Sequence, residues 1–119
     1  MAPIAEDLHV ELKPCDAALA RAFGFLGKRW NGVILATLAK GHAGFSELRR
    51  AVHGISDSVL SDRLSELATA GLVLRTVDNG PPVTVSYELS ESGLAIIPSL
   101  NALTAWAREN LPERDCTGD

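Results

Sequence analysis

Residues 55–72 read ISDSVLSDRLSELATAGL, and this stretch decides the fold. Ser56 stands where a helix begins. Its hydroxyl can accept from the free amides of a first turn, and Asp57 suits the positive end of the helix. Leu60, Leu64 and Leu67 then recur at i, i+4 and i+7, the spacing of one buried helical stripe. Gly71 ends the run. The opposite face carries Ser58, Asp62, Ser65 and Thr69, with Ser61 at its edge, all short and polar. The stretch predicts a helix over 56–70 with one apolar face and one hydrogen-bonding face.

Toward the N-terminus, residues 45–52 (FSELRRAV) predict a short helix that turns Phe45, Leu48 and Val52 inward and Arg49 and Arg50 elsewhere. His53–Gly54–Ile55 is a tight connection to the next helix. Residues 30–39 (WNGVILATLA) predict another, with Trp30, Ile34, Leu35 and Leu38 at helical spacing and Gly41 behind it. Residues 16–26 (DAALARAFGFL) predict the first. Asp16 is its cap, Leu19, Phe23 and Leu26 share a face, and Gly27 interrupts.

Toward the C-terminus the period changes. Leu72–Val77 and Val83–Leu89 are rich in β-branched and apolar residues, and Asp78–Asn79–Gly80–Pro81–Pro82 between them is turn chemistry. This predicts a hairpin over 72–89. Ser90 caps a last helix over about 91–111. Its Leu94, Ile96, Ile97, Leu100, Leu103, Trp106 and Leu111 cover more than one stripe. Pro98 is expected to start a fresh turn in it or to kink it.

Three helices, a fourth after a tight turn and then a hairpin make the order of a winged helix-turn-helix. The expected fold class is α+β, mainly α with a small β-hairpin. One domain is expected over 15–111, with an N-terminal arm over 1–14 and a disordered tail over 112–119. A chain of 119 residues with 46% hydrophobic content supports one such core.

Composition narrows the function. No apolar run is long enough to cross a bilayer, and no secretory signal opens the chain, so a soluble cytoplasmic protein without a membrane partner is expected. Two cysteines, Cys15 and Cys116, are too few for a disulfide scaffold. His9, His42 and His53 show no metal-ligand spacing with them, so no metal and no cofactor are expected. Gly24, Gly27 and Lys28 faintly suggest a phosphate loop. However, Ala22 stands at the place of the first glycine, and Arg29 replaces the Ser/Thr. No Ser-His-Asp arrangement emerges either, and an enzyme is not expected.

The net charge is −4, yet it is unevenly spread. Residues 28–75 hold seven bases against four acids, and residues 76–119 hold two bases against seven acids. The basic middle coincides with the helix-turn-helix. A helix such as 56–70 can enter a major groove about 12 Å wide, while the preceding helix and the hairpin hold phosphates on either side. The candidate DNA contacts are Lys28, Arg49, Arg50, Arg63 and Arg75 among the bases. On the recognition helix they are Ser56, Ser58, Ser61, Asp62 and Ser65. Asp62 can accept from a cytosine amino group, and it repels phosphates. The alternative for the polar face is a plain solvated surface, and Arg63 can instead pair with Glu66 or Glu47. At the level of function, the alternative is a winged-helix module that binds a protein or a small effector. The acidic balance and a poorly basic wing favour it.

From Cys15 to Trp106 the chain resembles the HxlR-type (MarR-like) family of winged-helix transcriptional regulators. The matching segments are Cys15; Leu26–Gly27–Lys28–Arg29–Trp30 leading into Val33–Ile34–Leu35; and Phe45–Ser46–Glu47–Leu48. They continue with Ile55 to Leu64, Gly71–Leu72–Val73, and Tyr87–Glu88–Leu89–Ser90–Glu91–Ser92–Gly93. The resemblance implies a homodimer joined through the first and last helices, which agrees with the excess apolar surface of the last helix. It also implies a pseudo-palindromic operator in double-stranded DNA, with half-sites about 34–36 Å apart or a multiple of this. The chain departs from the family pattern at the wing. Thr84 stands at a position usually basic, the prolines lie one place early, and only Arg75 is basic, with Asp78 at the tip.

Several relatives use the cysteine at the Cys15 position as a sensor, which implies a small oxidant or electrophile as effector. Cys15 directly precedes the first helix, whose dipole favours a thiolate. Lys13 would help and Asp16 would oppose. The competing role is a small buried hydrophobe at the dimer interface. Cys116 has no counterpart in the family pattern.

Overall fold

The structure is a computed structural model that describes residues 17–113. The arm 1–14, Cys15, the Asp16 cap and positions 114–119 with Cys116 lie outside the described residues. The elements run α1 (Ala17–Leu26), α2 (Asn31–Leu38), β1 (Ala43–Gly44), α3 (Phe45–Ala51), α4 (Asp57–Thr69), β2 (Val73–Asp78), β3 (Thr84–Leu89) and α5 (Glu91–Asn110). The fold is the expected α+β winged helix-turn-helix, and the expected helices fall within a residue of these bounds. One element is an addition to the expected hairpin. The hairpin is part of a three-stranded antiparallel sheet in the order β1-β3-β2, with Ala43 opposite Tyr87 and Gly44 opposite Ser86. Two small residues show no alternation and have low strand propensity, so β1 is made by its partner strand rather than by its own sequence.

Each joint is fastened by local chemistry. Ser56 accepts from the Val59 N–H at 3.2 Å and starts α4. At the other end Gly71 takes φ +83°, a left-handed turn that favours glycine. The Gly71 and Leu72 amides then donate to the carbonyls of Ala68 and Leu67, both at 3.0 Å, which closes the helix by a Schellman turn. The Gly44 amide donates to Glu47 at 2.8 Å and turns β1 into α3. Ser90 accepts from the Gly93 amide at 3.1 Å and donates to the Gly71 carbonyl at 2.6 Å, so the start of α5 is tied to the end of α4.

The core is Ile34, Leu35 and Leu38 of α2, Leu48 and Val52 around α3, Ile55, the Leu60–Leu64–Leu67 stripe of α4, Val73 and Leu89. Helix α2 lies centrally, in contact with α1, α3, α5 and β3. The outer helices contribute differently. Phe25 and Leu26 of α1, and Ile96, Ile97 and Leu100 of α5, are only partly buried against the core. Leu19 and Phe23, expected to share a face with Leu26, are exposed in the single chain, as are Leu94, Leu103, Trp106 and Leu111. Helix α5 runs on through Pro98 as one element, rather than starting a fresh turn there. Pro98 and Leu94 are both exposed, so the missing hydrogen bond falls on the solvent side. Among the described residues no helix is long and apolar enough to cross a membrane.

Candidate nucleic-acid interface

Helix α4 has 13 residues and so is about 20 Å long. With Leu60, Leu64 and Leu67 held in the core, the opposite side presents Ser58, Ser61, Asp62 and Ser65, all exposed. Their i, i+3, i+4 and i+7 spacing makes a continuous stripe of short hydroxyls and one carboxylate. Ser56 sits at the end of this stripe, but its hydroxyl is already engaged in the cap.

The predicted cations divide into three groups. Arg49, on α3, donates from Nε to Asp57 Oδ1 at 3.0 Å, which brings it to the N-terminus of α4. Arg50 is exposed and makes no ion pair among the described residues. Lys28 and Arg63 converge instead on Glu66. Lys28 Nζ lies 2.9 Å from Oε2 and Arg63 lies 3.2 Å from Oε1. Of the two partners weighed for Arg63, the structure selects Glu66. Arg75 is exposed on β2 opposite Tyr87, so it stands apart on the wing.

Glu66 is also reached by a residue that sequence reasoning missed. Asn31 is fully buried, and its Nδ2 donates to Glu66 Oε1 at 3.3 Å and to the Phe25 carbonyl at 3.0 Å. The signal was present. Asn31, Ile34, Leu35 and Leu38 occupy i, i+3, i+4 and i+7, so a polar residue stands in the buried stripe of α2. Such a residue needs partners, and here they lie on α1 and α4. The Glu66 carboxyl is held below its ordinary value. The Lys28 hydrogen bond is the main cause, followed by the Asn31 bond; partial burial opposes them, and the Arg63 charge adds to them.

The wing is poor in charge. Asp78, at the tip end of β2, accepts from the Gly80 amide at 3.1 Å, and Leu74, Val77 and Val83 of the wing are exposed apolar residues. Among the described residues no group of His, Cys, Asp and Glu is placed to hold a metal ion.

Comparison with known proteins places this architecture. A family model described as HxlR-like helix-turn-helix matches residues 25–115. The chain is 41% identical to the HTH-type transcriptional regulator YodB of Bacillus subtilis (strain 168) over 86 residues, which cover 72% of this chain and 77% of YodB. It is 39% identical to the uncharacterized HTH-type transcriptional regulator YvaP of the same organism over 89 residues, 75% of this chain and 82% of YvaP. The solved structure of YodB in its reduced form matches with a TM-score of 0.74 at 35% identity, covering 88% of this chain and 100% of the other. The redox regulator HypR in its oxidized form matches with a TM-score of 0.74 at 28% identity, covering 83% of this chain and 99% of HypR. The chain belongs to the HxlR-like helix-turn-helix family, whose members are transcriptional regulators and not enzymes.

Proposed function

We propose that this regulator is a homodimer that binds a pseudo-palindromic site in double-stranded DNA. The observation that carries the DNA reading is the exposed polar stripe of α4, Ser58, Ser61, Asp62 and Ser65, with its apolar stripe buried, Arg49 beside its N-terminus and Arg50 exposed on the preceding helix. In this reading the hydroxyls and Asp62 meet base edges while Arg49 and Arg50 meet phosphates. Lys28, Arg63 and Arg75 contribute to the surrounding field, and Ser56 holds the helix start. The dimer reading rests on α1 and α5. Leu19, Phe23, Leu94, Leu103, Trp106 and Leu111 form apolar surface that a monomer leaves in water. Selection of sites from random DNA, followed by binding of the selected duplex across a salt series, tests both parts. An inverted repeat and a steep salt dependence are expected. Failure to enrich any sequence would refute the reading.

Oxidant or electrophile control through Cys15 is the finer part of this proposal. It is supported by the likeness to the redox regulator HypR and by the place of Cys15 just before α1. Diamide or a quinone should change DNA affinity in the wild type and not in Cys15→Ser. The same response in both proteins would exclude it.

A second reading, a module for a small effector, is favoured by one observation. A cleft lined by Ala22, Phe25, Leu26, Leu35, Leu72 and Ile96 has a volume of about 240 Å³. That is below the roughly 300–1,000 Å³ of typical ligand pockets, and a larger groove of about 620 Å³ is lined by the charged Lys28 and Glu66 with Ser65 of α4, so the DNA reading stands first.

A further inference from the structure

Arg49 is the cation best placed for a phosphate, on α3 beside the start of α4, yet its Nε–H already donates to a carboxylate. The acceptor is Asp57 Oδ1 at 3.0 Å, and Asp57 is the first residue of α4. A carboxylate at that place is doubly favoured, by the guanidinium and by the unpaired amides of the first helical turn. Those are the features that would attract a DNA phosphate. Both side chains are well exposed, at 54% and 69%, so water screens the pair and a phosphate can displace it.

The rest of the unit does not compensate. Between Phe45 and Thr69 stand Arg49, Arg50 and Arg63 against Glu47, Asp57, Asp62 and Glu66. Arg63 is tied to Glu66 at 3.2 Å, which leaves Arg50 as the guanidinium of this unit without an ion pair among the described residues. We infer that Asp57 is an affinity-setting residue: it stands in for a phosphate on Arg49 and thereby lowers the sequence-independent part of DNA binding. The inference rests on the DNA-binding reading above. Phosphate contacts carry no base information, so the effect applies to every sequence by the same factor.

The test is Asp57→Asn, which removes the charge and keeps an oxygen for Arg49. Wild type and variant are titrated against a labelled random-sequence duplex and against the duplex the wild type selects, by fluorescence anisotropy over a salt series. The variant should bind both duplexes about fivefold more tightly per half-site at low salt, the size of one exposed charge pair. Its log–log salt slope should steepen by about one per half-site. Asp57→Ser, also uncharged and a good helix starter, should act in the same direction. In an Arg49→Ala background the gain should vanish. Unchanged or weaker binding by both variants overturns the inference, as does a gain that survives Arg49→Ala. If the wild type binds with a steep salt slope and the variants match it, only this inference falls. If no protein retains either duplex, the DNA-binding reading falls and takes this inference with it.

Discussion

Gly93→Ala tests whether the joint between the wing and α5 depends on a close backbone approach. A Cβ at Gly93 would collide with the Leu72 carbonyl oxygen and lie 3.2 Å from both the Leu72 carbonyl carbon and Leu89 Cδ2. The carbonyl cannot simply swing away, because it accepts the Ser90 amide at 3.0 Å, while the Leu72 amide closes α4 on Leu67. Two effects oppose each other. Alanine is favoured over glycine in a helix by up to about 1 kcal/mol. Crowding a packed site costs about 1–3 kcal/mol, and losing the Ser90 bond costs about 1 kcal/mol more. Crowding wins, with a net loss of about 2 kcal/mol. Gly32→Ala supplies the contrast. Its added methyl meets only Leu100 Cδ2 at 3.9 Å, an ordinary contact, so it should gain up to about 1 kcal/mol. Urea denaturation of the two variants beside the wild type reads the difference. A Gly93→Ala protein as stable as wild type would refute the close approach, and equal losses in both variants would refute the steric explanation.

Other perturbations probe the interface and the dimer. Phe23→Glu or Trp106→Glu should yield monomers in sedimentation equilibrium and weaken operator binding, because each puts a charge on the apolar surface assigned to the partner copy; an unaltered dimer would move the interface elsewhere. Arg50→Ala should lower affinity for all sequences and reduce the salt slope by about one per half-site, read by anisotropy. Ser61→Ala or Ser65→Ala should change operator preference by about 1–3 kcal/mol for a lost base contact, measured by competition between site variants. Acid should weaken the fold through Glu66. Its carboxyl is held low in the native state, so its contribution is complete well above the ordinary value of 4.5 and is lost as pH falls through the lowered native value. In urea midpoints measured from pH 6 to pH 3, Glu66→Gln should flatten that decline.

Most of the helix-turn-helix is legible in the chain itself because its signals are local. Ser56, the leucine stripe and Gly71 lie within one helix length, and each acts through hydrogen bonds or side-chain spacing inside that length. The exposed stripe of α4 follows from the buried one by geometry. What local reading could not supply is pairing across the chain. Lys28 and Glu66 are 38 positions apart, and Asn31 and Glu66 are 35 apart. Nothing in the run 28–31 states that α4 will deliver a carboxylate there. Strand β1 is hidden for the same reason, since Ala43 and Gly44 become a strand only when Tyr87 and Ser86 lie beside them. For α1 the apolar face was visible, while what it faces was not. Leu19 and Phe23 point away from the core, and only Phe25 and Leu26 pack against it.

These long-range pairs decide how α4 is aimed. Burial of Leu60, Leu64 and Leu67 holds the helix down, but apolar packing is non-directional and tolerates small rotations about the helix axis. Hydrogen bonds and bidentate contacts are directional. Helix α4 has such contacts at both ends: Asp57 to Arg49 of α3, and Glu66 to Lys28 in the α1–α2 turn and to Asn31 at the start of α2. Asn31 also holds the Phe25 carbonyl at 3.0 Å, next to the end of α1. The rotation that sets Ser58, Ser61 and Ser65 outward is therefore referred to α3 at one end and to α1 at the other. In the proposed dimer, with α1 at the interface, the orientation of each α4 would be tied to the two-fold axis through a buried amide and one carboxylate. Phe25, Asn31 and Glu66 form one hydrogen-bonded path between α1 and α4, and Asn31→Ala should loosen it, read as faster amide exchange in α4; unchanged exchange would refute a role for this path.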